Sequence, residues 1–169
     1  DTYVIMNNLR AYLRSPEIRN EKNKEKGVYL GRRVFGKTQT VYNTGESGYV
    51  LDRRAVQVLV HHLDTHMCRS METVPHEDVF VGRCVFLGGG IRPLDTRDER
   101  GRERFHYTSP GVMWRHLTPE WYVQEGENAT VKGLECCSEN SVSFHFISGN
   151  LMRQIHSYLY HEKGRYCYN

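Results

Sequence analysis

The residues able to do chemistry fall in short groups scattered along the chain. Glu77-Asp78 opens a stretch that reads as a helix to about Leu87, ahead of Gly88-Gly89-Gly90. Two acids at a helix start are accounted for by the helix dipole alone. The same position also suits a carboxylate fixed on a rigid element and able to take a proton from a substrate hydroxyl. Val79, Phe80 and Val81 would anchor that turn in the core, and Gly82 would permit close backbone approach. His145 lies mid-strand between Phe144 and Phe146, on the opposite face from both. It becomes a metal ligand only with a carboxylate partner, for which Asp1 is a candidate.

Three further groups carry polar chemistry. Gly45-Glu46-Ser47-Gly48-Tyr49 is a glycine loop without the spacing of a dinucleotide fingerprint or the lysine of a P-loop. Asp95-Thr96-Arg97-Asp98 reads as a turn with internal salt bridges, of the exposed kind that contribute little, and Phe105-His106 follows it. Trp114, Trp121 and Tyr122 could stack on a sugar or peptide, or simply cover the core. The five cysteines include no Cys-x-x-Cys pair, which argues against a structural zinc site. Cys68 and Cys84 could close a loop worth about 3 kcal/mol if oxidised. Cys136 and Cys137 suit a vicinal disulfide or two separate partners. Asn128-Ala129-Thr130 is an acceptor sequon for N-glycosylation, and with the cysteines it leans toward a secretory-pathway lumen.

The elements that must position these groups are short. Tyr3 to Leu13 places Val4, Met6, Leu9 and Leu13 near helical spacing, with Pro16 as the stop, and Arg19 to Lys26 reads as a charged, turn-like insertion. Val28-Tyr29-Leu30 is a buried strand ending at Gly31, and Lys37 to Gly48 a loop. Asp52 caps a helix running through His62, with Ala55, Val56, Leu59, Val60 and Leu63 on one face. Arg92 to Lys132 shows little periodicity and reads as long surface loops. Val142 to Phe146 alternates as a half-buried strand, and Leu151 to His161 is an amphipathic helix with Gly164 just past its end. Short strands mixed with helices indicate an α/β or α+β layered fold.

Bulk properties bound the rest. The 169 residues, 38% apolar and 25% charged, suit a globular domain with a real core. No apolar run approaches the ~18 residues of a membrane span. A net charge of +3, with acids and bases interleaved, gives no basic stripe, so nucleic acid is excluded as a partner. The first residue is Asp, as in a fragment or processed chain, so a membrane anchor could lie upstream.

Taken in order, the segments resemble glycosyltransferase family 31, above all its core 1 β1,3-galactosyltransferases. The matching pieces are Asp1-Thr2-Tyr3-Val4-Ile5 with Asn8-Leu9-Arg10, then Tyr29 to Arg33, and Tyr42 leading Gly45 to Leu51. Glu77-Asp78 with Gly82-Arg83-Cys84 follows, then Asp95 to Asp98, Phe105-His106, Cys136-Cys137-Ser138 and Val142 to His145. The resemblance spans nearly the whole chain.

It implies an α/β fold of the glycosyltransferase GT-A type, of which residues 1–169 would be a single partial catalytic domain, the acceptor-side portion of a mixed sheet with flanking helices. The family's Asp-x-Asp metal motif would end at Asp1, its other acids lying upstream, with His145 completing a Mn2+ site. Asp78 would be the catalytic base and Glu77 its support. Tyr42 and the turn Gly45, Glu46, Ser47 and Gly48 would face the donor, although Glu46 stands where the family commonly has glycine. Cys68 and Cys84 match a family disulfide, Cys136-Cys137 its vicinal pair, and Cys167 has no counterpart. The implied reaction moves galactose from UDP-galactose to a GalNAc-bearing glycoprotein acceptor. A fringe-like β1,3-N-acetylglucosaminyltransferase and an inactive chaperone-like relative are the alternatives. The setting implied is the Golgi lumen, as a type II membrane protein in full-length form, with homodimerisation left open.

Overall fold

The computed structural model describes residues 1–35, 41–69, 76–115 and 133–161. Among these residues three small sheets carry the strands. β1 (Tyr3–Val4), β6 (Phe105–His106) and β7 (Ser143–Phe144) form one sheet in the order β1-β7-β6, with β7 antiparallel to β1 and parallel to β6. β2 (Tyr29–Gly31) pairs antiparallel with β5 (Tyr49–Leu51), and β3 (Arg33–Phe35) antiparallel with β4 (Val41–Asn43). Around them lie helices α1 (Met6–Leu13), α2 (Pro16–Asn23), α3 (Arg53–Leu63), α4 (His66–Arg69), α5 (Glu77–Gly89), α6 (Pro110–Trp114) and α7 (Gly149–Tyr160). The result is a mixed α/β architecture. No helix among the described residues is long and apolar enough to cross a membrane.

β2 joins two cores because successive strand residues point to opposite faces. Leu30 packs with Tyr12, Ile18, Val28, Phe105 and Val142. Tyr29 turns to the other side, against Ala55, Val58, Val85 and Ile91. The second cluster seats α5 on α3, and Gly82 lets α5 close onto β4: a Cβ there would lie 2.5 Å from Tyr42 Cβ. α5 ends at Gly90, whose φ of 65° puts it in the left-handed conformation glycine adopts at no steric penalty.

Several expectations need correction. Residues 3–4 are strand, not helix, because they pair with β7 at the far end of the chain. Pro16 does more than stop α1: Ser15 accepts the Ile18 amide and Pro16 takes the first helical position, so α2 replaces the expected turn. Only Ile18 of α2 is buried, leaving little periodicity to read. Val41–Asn43 forms a strand inside the expected loop. On α3 the buried residues are Ala55 and Val58, while Val56, Val60 and Leu63 are exposed. Val142 to His145 is buried on both faces rather than alternating, because Val142 belongs to the first core while Ser143 is covered by the turn at Ser47. Within the expected loop Arg92–Lys132 lie β6 and α6, and Asp98 with Arg102 is a buried pair at 2.8 Å rather than an exposed one. Asn128, Trp121, Tyr122, Gly164 and Cys167 lie outside the described residues.

Candidate functional site

Asp78 stands in the first turn of α5, where unpaired helix amides and the dipole favour an anion. Its Oδ1 accepts the Val79 amide at 2.8 Å and its Oδ2 accepts the Gly45 amide at 2.9 Å. Glu77 beside it accepts the Tyr49 hydroxyl, whose pKa is pushed up by burial and then by Glu77 itself. Gly45 passes under both carboxylates. A Cβ at that position would sit 3.5 Å from Asp78 Cβ and 3.5 Å from Glu77 Oε2.

The turn that carries Gly45 is closed by the Gly48 amide on the Gly45 carbonyl at 2.9 Å, with Gly48 at a φ of +73°. Glu46 is exposed, yet its carboxylate is tied by the buried Thr44 hydroxyl at 2.8 Å. Two hydroxyls reach the same turn from elsewhere. Thr2 donates to the Glu46 carbonyl at 2.7 Å, and buried Ser143 donates to the Ser47 carbonyl at 2.5 Å. The side-chain amide of Asn43 and the hydroxyl of Ser47, both buried, have no hydrogen-bond partner among the described residues. Tyr42 stands in β4 against Gly82.

Across the turn, Asp1 Oδ1 and His145 Nε2 approach to 2.9 Å. The Tyr107 carbonyl, which can only accept, lies 3.0 Å from His145 Nδ1, so Nδ1 carries a proton. Nε2 is then presented to the Asp1 carboxylate, as a donor to it or as a lone pair beside it. A ligand histidine commonly has its other ring nitrogen held by a carbonyl in this way. Phe146, at a φ of 53°, turns the chain so that the Ile147 amide meets the Asp1 carbonyl at 2.9 Å. Among the described residues no group of three or more His, Cys, Asp or Glu converges as a metal cluster. This chain's own metal-type donors here are therefore a carboxylate oxygen and an imidazole nitrogen.

The structure thus gathers Asp1, Tyr42, Gly45 to Gly48, Glu77, Asp78 and His145 around one turn. It leaves other candidates elsewhere. Asp95 is bound by Arg97 and faces Arg33 at 3.4 Å, and the Arg97 hydrogen bond holds its carboxyl well below the usual range. Asp98 accepts the Arg100 and Arg102 amides and Arg102 Nε, locking the loop. His106 is fully buried, stacked on Phe144 at 4.4 Å and bound to the Ser141 hydroxyl at 2.9 Å. Burial, with Arg32 adding to it, pushes its pKa down to about 3. Trp114 is 58% exposed. Disulfides join Cys68 to Cys84 and Cys136 to Cys137.

Sequence reasoning missed Thr2, Tyr107 and Ser143 as site residues. Thr2 and Ser143 had one signal, their places one residue after Asp1 and two before His145. A hydroxyl aimed at a distant carbonyl leaves no mark in local sequence.

No protein-family model matches the chain. It is 35% identical over 168 residues, 95% of its own length, to glycoprotein-N-acetylgalactosamine 3-beta-galactosyltransferase 1 of Xenopus laevis. It spans 43% of that protein's length.

Proposed function

This chain belongs to the same family as that transferase, and from that kinship we propose that the protein is an inverting, UDP-sugar-dependent glycosyltransferase of the GT-A type. It moves galactose from UDP-galactose to the 3-hydroxyl of GalNAc on Ser or Thr of glycoproteins. The observation that carries the reading is the single turn, Gly45 to Gly48, that touches a helix-mounted carboxylate on one side and is tied to the Asp1–His145 segment on the other.

Asp78 is the general base. It accepts the proton of the acceptor hydroxyl as that oxygen bonds to the anomeric carbon and the bond from that carbon to the UDP oxygen breaks, so the sugar inverts. The two amides on its carboxylate aim it while leaving each oxygen a further lone pair. Glu77, held by Tyr49, fixes the rim of the site. Tyr42 and the turn line the donor side, where a Cβ at Gly45 would come within 3.5 Å of the Asp78 and Glu77 side chains. Asp1 and His145 fit a hard divalent cation such as Mn2+, which when bound neutralises charge on the departing diphosphate. The proposed setting is the Golgi lumen.

The exposed carboxylate of Glu46 favours one second reading, a related transferase with another donor sugar. A donor screen on a GalNAc-peptide with the full-length protein separates the two. In the same assay Asp78→Asn should lower galactose transfer by about 10²–10⁴-fold with melting temperature preserved. Undiminished transfer by that variant rules Asp78 out as the base.

A further inference from the structure

We propose that Ser143 and Thr2 are positioning residues, a clasp that holds the base-bearing and cation-side halves of the site at a fixed separation. The proposal rests on the function above. Their hydroxyls donate to successive carbonyls of one turn, Ser47 and Glu46, at 2.5 Å and 2.7 Å. These contacts span 96 and 44 residues of sequence, so they join parts of the fold that no local hydrogen bonding would bring together.

Each end of the clasp lies next to a candidate site residue. Thr2 follows Asp1 directly. Ser143 opens β7 and His145 directly follows that strand, two residues farther on. On the turn, the carbonyls that are gripped adjoin Gly45, whose amide holds Asp78 Oδ2 at 2.9 Å. The linkage therefore runs from Asp78 through the Gly45 amide and the turn to Thr2 and Ser143, and on to Asp1 and His145. Ser143 is 1% exposed, so its bond to the Ser47 carbonyl forms without competing water. Removing either hydroxyl lets the turn and its Gly45 amide drift. The base is then misaligned with the sugar, while the Asp1–His145 pair on the cation side keeps its own 2.9 Å contact.

The test uses the full-length protein with Mn2+ and UDP-galactose. Ser143→Ala and Thr2→Val should each lower kcat by roughly 10- to 100-fold, with the donor KM within about twofold of wild type. Thr2→Ser, which keeps the hydroxyl, should restore kcat. Thr2 lies at a half-buried edge, so this pair remains informative if Ser143→Ala fails to fold. Hydrogen exchange supplies a readout independent of the reaction: the Gly45 amide should exchange at least about tenfold faster in Ser143→Ala or Thr2→Val. If wild type transfers no galactose, the proposed function fails and the exchange result alone judges the clasp. Unchanged Gly45 exchange, unchanged kcat in both variants, or equal losses in kcat and donor affinity would each overturn it.

Discussion

Replacing Gly82 with alanine tests how α5 holds Glu77 and Asp78 over the turn. The new Cβ would lie 2.5 Å from Tyr42 Cβ and 3.1 Å from Tyr42 Cα. Neither atom moves with a change of tyrosine rotamer, so relief requires α5 and β4 to part. Carbon atoms sit comfortably at about 3.5–4.0 Å, which sets the displacement at roughly 1 Å. Overpacking of this kind costs about 1–3 kcal/mol, against which alanine gains up to about 1 kcal/mol of helix propensity. The net loss of roughly 1–2 kcal/mol should lower the melting temperature by about 3–8 °C. Asp78 lies four residues, or one turn, before Gly82 on the same helix, so it moves with it. Its 2.9 Å contact with the Gly45 amide would then stretch past hydrogen-bonding range, and kcat should fall by about 10²-fold. The assay pairs thermal melting with donor and acceptor kinetics. Gly111→Ala in α6 is the control, since a Cβ there meets nothing within 4 Å. A Gly82→Ala protein with wild-type melting and more than half of wild-type kcat would refute the reasoning.

Two further outcomes follow from packing and charge. His106 is held neutral, with its pKa down at about 3 against an ordinary 6.5. The unfolded chain therefore takes up a proton that the folded chain refuses. This contribution to stability is complete above about pH 6.5 and is lost as pH falls toward 3, with a slope of up to about 1.4 kcal/mol per unit. Urea melts from pH 7.5 to 5 should show this slope, and His106→Gln should flatten it; an identical slope in the variant refutes the assignment. Replacing Cys68 and Cys84 with serine opens a loop of 16-residue separation. About 3 kcal/mol should be lost, or roughly 6–12 °C of melting temperature, and an unchanged melt would show that packing of α4 on α5 suffices.

What could be read from the residues alone was whatever acts within a few positions. Asp52 caps α3 through the Ala55 amide, Gly90 ends α5 in a conformation that suits glycine, and the acids at Glu77 and Asp78 mark the start of that helix. Val28 to Leu30 carries enough contiguous apolar residues to declare a buried strand. The ordered series of short segments also pointed to the kind of transferase that is 35% identical to this chain over 95% of its length, since likeness survives in spacing where no single motif is strong. Local signals failed where the deciding contact is remote. Tyr3–Val4 is strand because β7 lies alongside it, and Asp98 is buried because Arg102 closes over it. The turn from Gly45 to Gly48 reads alone as a flexible glycine loop. It becomes a rigid junction only when Asp78, Thr2 and Ser143 arrive from 33, 44 and 96 residues away. Glu77 and Asp78 were legible as residues suited to proton transfer. Their linkage through the turn to the Asp1–His145 segment was decided by tertiary structure, because hydrogen bonds between distant segments depend on how the cores bring those segments together.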